Sequence, residues 1–95
     1  METTYLITIH MKRPQGMLEL GQFYMGKDKA QAVETFERLS GEHQSEKPGV
    51  LKIDLVEKQT DVDLVLDHLR CTLEQFTENC RIITVDAFKY FSLEG

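Results

Sequence analysis

The chain has no tryptophan, two prolines and two cysteines among its 95 residues. Set on a continuous helix, Cys71 and Cys80 would stand about 13 Å apart along the axis. A disulfide needs Cα atoms within about 7 Å, so the pair stays unbonded, as suits a reducing compartment. No apolar run approaches the roughly 20 residues of a membrane span. No basic region followed by an apolar block marks a signal peptide. These absences predict a cytoplasmic protein. Neither GxGxxG nor GxxxxGK[ST] occurs, which leaves phosphate binding in a glycine-rich loop without support. Cations are not clustered beyond Lys12-Arg13 and Lys27/Lys29, and the net charge is −5. Nucleic-acid binding draws on phosphate neutralisation by grouped Lys and Arg, so it is not expected.

What remains is an ordinary globular composition, 41% hydrophobic and 28% charged, which suits a single small domain over residues 1–95. The acidity is uneven: residues 51–95 hold five Lys/Arg against nine Asp/Glu.

The longest patterned stretch runs from Thr72 to Phe91. Leu73, Phe76, Cys80, Ile83, Ala87 and Phe91 fall at steps that keep them on one side of a helix. Thr72 and Gln75 fit a capping box. A competing reading notes the β-branched run Ile82-Ile83-Thr84-Val85 and makes segment 82–93 a fourth strand.

Earlier in the chain, Tyr5, Ile7, Ile9 and Met11 alternate along a half-buried strand over Thr4–Lys12. Arg13-Pro14-Gln15-Gly16 is a turn. Met17–Met25 returns, with a β-bulge near Gly21 or Gln22 that would bring Leu18, Leu20, Phe23 and Met25 to one face. Asp28 is a good N-cap for a helix whose inner stripe is Ala32, Val33, Phe36 and Leu39, and Gly41 ends it. Glu42–Gly49 reads as a polar, mobile loop. Val50–Lys58 is a strand with Leu51, Ile53 and Leu55 inward. Val62, Val65, Leu66 and Leu69 have helical spacing, with Asp61 and Asp63 at the start of a short helix. The fold class expected is therefore α+β: a two-layer sandwich, β-β-α-β-(α)-α, with a three-stranded antiparallel sheet in the order 2-1-3 and the helices on one face. Val50–Lys58 would then be an edge strand. No internal repeat is evident.

Candidate chemistry is sparse. Asp67-His68-x-x-Cys71 holds a thiol and a base that would be neighbours on a helix. No oxyanion site accompanies them, and as a zinc site they supply too few ligands, with His10 and His43 distant in sequence. Glu57, Asp61, Asp63 and Asp67 lack the spacing of a calcium loop and read as a solvated acidic edge. Accordingly no catalytic, cofactor-binding or metal residues are assigned. Leu6, Tyr24, Val56, Val85 and Tyr90 lie off the expected core faces and could form a contact patch. The function expected is a small non-enzymatic domain acting through protein–protein interaction or self-association. The alternative is a small-molecule-binding protein or minor enzyme with a pocket between helices and sheet near His68/Cys71.

Overall fold

The computed structural model describes residues 3–44 and 51–94, with side chains through Lys89 in the last helix. The elements run β1 (Thr4–Arg13), β2 (Gly16–Tyr24), α1 (Lys29–Glu37), β3 (Glu42–His43), β4 (Leu51–Lys58), β5 (Asp63–Cys71) and α2 (Leu73–Glu94). All described strands join one antiparallel sheet in the order β2-β1-β4-β5-β3. The α+β class is as expected, but the sheet has five strands rather than three. Ala32, Phe36 and Leu39, with Ile83 of α2, bury against Tyr5, Ile7, Ile9, Leu51, Ile53, Leu55 and Leu69.

Two expectations and one alternative reading are corrected, while the helix read over Thr72–Phe91 is present as α2. The stretch taken as a short helix after Gln59 is β5, the return strand of a second hairpin. Its apolar spacing mimics a helix because a bulge interrupts it: Leu55 faces Asp67 while Val56 faces Val65, leaving Leu66 as the extra residue. A one-residue insertion turns a period of two into steps of three. Val50–Lys58 is consequently not an edge, since β4 is paired on both sides by β1 and β5. Segment 82–93 forms no strand. It belongs to α2, about 33 Å long at 1.5 Å per residue, where reciprocal hydrogen bonds between Thr72 and Gln75 close the capping box (Thr72 N to Gln75 Oε1, 3.0 Å; Gln75 N to Thr72 Oγ1, 3.1 Å). The β-branched run yields to helical context, with Ile83 fully buried and Val85 exposed.

The two hairpins share a register. The pairs Arg13–Gly16 and Lys58–Asp63 open them, and the bulge falls between Ile9 and His10 in one and between Leu55 and Val56 in the other. Ile7 answers to Ile53, Leu20 to Leu66 and Met25 to Cys71, a constant offset of 46. In the helices Ala32 answers to Phe76, Thr35 to Asn79 and Leu39 to Ile83, an offset of 44, because β5 enters α2 by a shorter connection than β2 enters α1. The antiparallel β1–β4 pairing places a pseudo-two-fold axis at the Thr8–Asp54 pair. The chain is thus a ββα unit used twice, a repeat that side-chain identity conceals.

Asp28 caps α1 through Gln31 N (3.3 Å), as expected. Gly41 serves differently from a helix C-terminus: the helix cap is Arg38. At φ +145° a Cβ on Gly41 would lie 2.5 Å from the Arg70 carbonyl, so only glycine lets the chain come close enough to β5 for β3 to pair. The polar loop expected over Glu42–Gly49 begins as β3, and residues 45–50 lie outside those described.

Candidate functional site

The sheet face opposite the helices is organised by the antiparallel registers into cross-strand rows. Tyr24, Leu6, Val56 and Val65 make an apolar row. Beside it runs Gln22, Thr8, Asp54 and His68, and then Glu19, His10, Lys52, Arg70 and Glu42. Three members of the proposed contact patch, Leu6, Tyr24 and Val56, therefore meet. Val65 joins them unforeseen, because its strand was read as helix. Val85 lies apart on the outer side of α2, and the side chain of Tyr90 is outside those described.

Where these rows cross β1 and β4 the open face is hollow, with a volume of about 250 Å³. Thr8 and Asp54 are 6% and 7% exposed although, among the described residues, no helix covers this side. Their strands are the two at the centre of the sheet, and longer side chains on both flanks wall them in. His10 Nε2 stands 3.2 Å from Thr8 Oγ1 and 3.6 Å from Asp54 Oδ2. Lys52 Nζ is 3.7 Å from Asp54 Oδ1, which is buried without a hydrogen bond. The constellation is not a nucleophile relay. In a relay the base uses one ring nitrogen for the hydroxyl and the other for the carboxylate, whereas both contacts here converge on Nε2. Among the described residues no group of three or more His, Cys, Asp or Glu could hold a metal ion.

His68 and Cys71, offered as a thiol–base pair, lie on β5, and the three-residue step sends them to opposite faces. His68 is opposite Asp54 on the open side, while Cys71 is buried opposite Leu51. Both thiols are free. Burial pushes each above the ordinary thiol range, and for Cys71 it outweighs a hydrogen bond from Asn79 that acts the other way. A thiol held protonated is a poor nucleophile. A cavity of about 260 Å³ does open between α1 and the sheet, lined by Val33, Phe36, Leu55 and Leu66 with Lys29, Gln44 and Asp67. Its lining includes Asp67 but neither His68 nor Cys71. His43 contacts two of these lining residues, with its ring edge-on to Phe36 at 5.5 Å and Nδ1 3.7 Å from Asp67 Oδ2. Asp63 pairs across the strands with Lys58, and Glu57 accepts a hydrogen bond from Tyr5 Oη (3.0 Å). Glu57, Asp63 and Asp67 thus face different residues.

The buried polar side chains between the helices were not anticipated. Asn79, fully buried, accepts from Ser40 N (2.7 Å) and donates to Ser40 O (2.8 Å). Asp86 accepts from Thr35 Oγ1 (2.7 Å) and from Arg38. They tie the end of α1 to α2 and leave no group there for chemistry. Asn79 lies three residues after Phe76, at the helical step that marks an inner position, and its polarity hid it.

The two sheet edges differ. The outer side of β5 receives β3 through Glu42–Arg70 and His43–Leu69. Among the described residues β2 is paired on one side only. It spans nine residues with one charge, Glu19, and it exposes Met17, Leu18 and Leu20 at 46%, 38% and 44%. Among the described residues no helix is long and apolar enough to cross a membrane. No protein-family model, curated protein or solved structure matches the chain.

Proposed function

We propose that the protein is a small non-enzymatic cytoplasmic domain that acts through protein–protein contact, its first partner being a second copy of itself joined along β2. The observation that carries this reading is the β2 edge, which pairs with no further strand among the described residues. Unshielded edges present a row of backbone donors and acceptors that templates a further strand, and charges are the usual guard against it. β2 has a single charge over its length. The pseudo-symmetry adds a second support: the position on β5 equivalent to Phe23 and Tyr24 does accept a strand. Antiparallel β2–β2 pairing is self-complementary about a two-fold axis and brings the exposed Leu18 and Leu20 of both copies together. An interface of one strand pair lies at the small end of the roughly 1,200–2,000 Å² typical of stable complexes, so association is weak and concentration-dependent. The convergence of both contacts on one nitrogen of His10, and the raised thiols, favour binding over catalysis. The acidity and the scattered cations favour a protein partner over nucleic acid.

Sedimentation velocity across a wide concentration range tests the reading. A monomer–dimer equilibrium is expected, and Leu18→Lys with Leu20→Lys should abolish it while the helical signal in circular dichroism stays intact. A monomer at every concentration would sink the proposal. So would a dimer that survives those changes but dissociates on Tyr24→Lys, because that result places the interface on the open face.

A further inference from the structure

The open-face hollow has chemistry that strand pairing at β2 leaves unused. The Asp54 side chain is 9% exposed, and buried carboxylate oxygens in folded proteins are nearly always hydrogen-bonded. Here Oδ1 has no hydrogen-bond partner. The nearest cationic or imidazole nitrogens, on Lys52 and His10, stand at 3.7 and 3.6 Å, beyond hydrogen-bond length. Asp54, which lines the hollow, thus meets both ion-pair partners only at long range, and its buried Oδ1 accepts no hydrogen bond.

The walls say what would use it. Three carboxylates, Glu19, Asp54 and Asp63, line the hollow against one lysine, Lys58. Glu19 is held in place by Gln22 Nε2 at 3.3 Å from both of its oxygens. Lys52 approaches Asp54 but is not part of the lining. Thr8, His10 and Gln22 complete the polar part of the wall, and Leu6, Val56 and Val65 form its apolar side, Val65 59% exposed at the rim. A volume of about 250 Å³ is below the usual range for drug-sized ligands, which restricts the occupant to about ten heavy atoms. We propose that this hollow binds a small primary ammonium compound with an apolar body, its ammonium group directed at Asp54 and its hydrocarbon laid along Leu6, Val56 and Val65. An ammonium group brings three donors and no acceptor, which complements a lining where three carboxylates outnumber one lysine. An anionic ligand would meet Glu19 and Asp63 at like charge. A neutral alcohol could make the hydrogen bond without the Coulombic gain, and charge-assisted bonds are about twice as strong.

Three probes of one shape separate these cases: benzylammonium, benzyl alcohol and benzoate, titrated into the full chain and followed by amide chemical shifts. Saturable shifts are expected at Thr8, His10, Asp54, Val56 and Val65 with benzylammonium, at least tenfold weaker binding with benzyl alcohol, and no saturation with benzoate. Asp54→Asn keeps the shape and should weaken benzylammonium binding at least tenfold. Should that variant fail to fold, Val65→Lys decides, since it sets a positive charge at an exposed rim position and should weaken binding several-fold without disturbing the core. Equal responses to the ammonium and the alcohol would overturn the proposal. So would shifts centred elsewhere, or unchanged affinity in whichever of these two variants folds.

Discussion

Leu20, the bulged residue of the first hairpin, is 44% exposed, whereas Leu66, its equivalent in the second, packs against the core beside Val33 and Phe36. The hairpins have one register and one bulge position, so backbone pairing does not cause the difference. Its cause lies in the neighbours. Leu66 lines a cavity with Val33 and Phe36 of α1, and β3 adds a strand beyond β5 at Leu69 and Arg70, while no strand lies beyond that of Leu20 among the described residues. Equivalent sequence positions can thus belong to the core in one half and to an interaction surface in the other. The second contrast is at the axis, where the central pair is Thr8 in one half and Asp54 in the other. A repeat with identical halves would offer two hydroxyls or two carboxylates there. This chain offers one of each, and the asymmetry gives the open-face hollow its charge.

The equivalence of the helices can be broken most forcefully at their innermost residues. Ile83→Asp should unfold the protein, because it buries an unpaired carboxylate at a fully buried position, a cost above about 4 kcal/mol against a total of about 5–15 kcal/mol for a small domain. Leu39→Asp should do the same in the first half, whereas Glu78→Ala, on the exposed side of α2, should change stability by less than about 0.5 kcal/mol. Circular dichroism in a urea series reads all three. A folded Leu39→Asp beside an unfolded Ile83→Asp would show that the halves carry unequal shares of the core.

The buried polar pair Thr35 and Asn79 sharpens the comparison at a smaller scale. Asn79→Ala strands both Ser40 N and Ser40 O, at a cost of about 1–3 kcal/mol for the unsatisfied groups. Thr35→Ala removes one hydroxyl bonded to Asp86 and Gln31 O and should cost about 1 kcal/mol. Equal losses in urea denaturation would mean that the ties between α1 and α2 run through both positions alike.

How far these features were legible depends on which signal each segment carried. Thr4–Lys12, the Pro14–Gly16 turn, the Asp28 cap and the Thr72–Gln75 box were readable because each is local: alternation, turn chemistry and side-chain-to-backbone bonds act within four residues. The bulge in β2 was inferred at Gly21 or Gln22 and lies earlier, at Leu20. The same device in β5 was missed, since Val62, Val65, Leu66 and Leu69 satisfy a helix template as well as a bulged strand. That one misreading removed a strand from the sheet, moved β4 to the edge and hid both the repeat and the hollow, because Asp54 is buried only when β5 flanks it. Asn79 and Asp86 were illegible for another reason: their partners are Ser40, Thr35 and Arg38, about forty or more positions away, and polarity alone marks them for the surface.

The smallest expected effect lies at alkaline pH, where the halves differ in their titrating groups. In the first, Tyr5 is pushed above its ordinary 10.0 mainly by burial, helped by its hydrogen bond to Glu57. In the second, Cys71 and Cys80 are pushed above 9.0. All three keep their protons in the folded state and release them more readily when unfolded, so the unfolded chain binds fewer protons and stability falls as pH rises past about 9. Tyr5→Phe should flatten the upper part of that decline and leave the part due to the thiols. An unchanged pH profile of the thermal midpoint would assign the whole effect to the second half.

The β1–β4 pairing joins Thr4 to Lys58 and Met11 to Leu51, contacts that span roughly half the chain. Each hairpin closes over a short turn, an event of about 1–10 μs. Neither unit can cover its own inner face alone, because the core draws residues from both. The step expected to limit folding is therefore the meeting of the two hairpins across a long loop, whose closure entropy must be met before the shared core returns any stabilisation. A chain built from two local pieces is thus expected to fold slowly for its size, and until the halves meet both β1 and β4 would present the edges that the finished sheet hides.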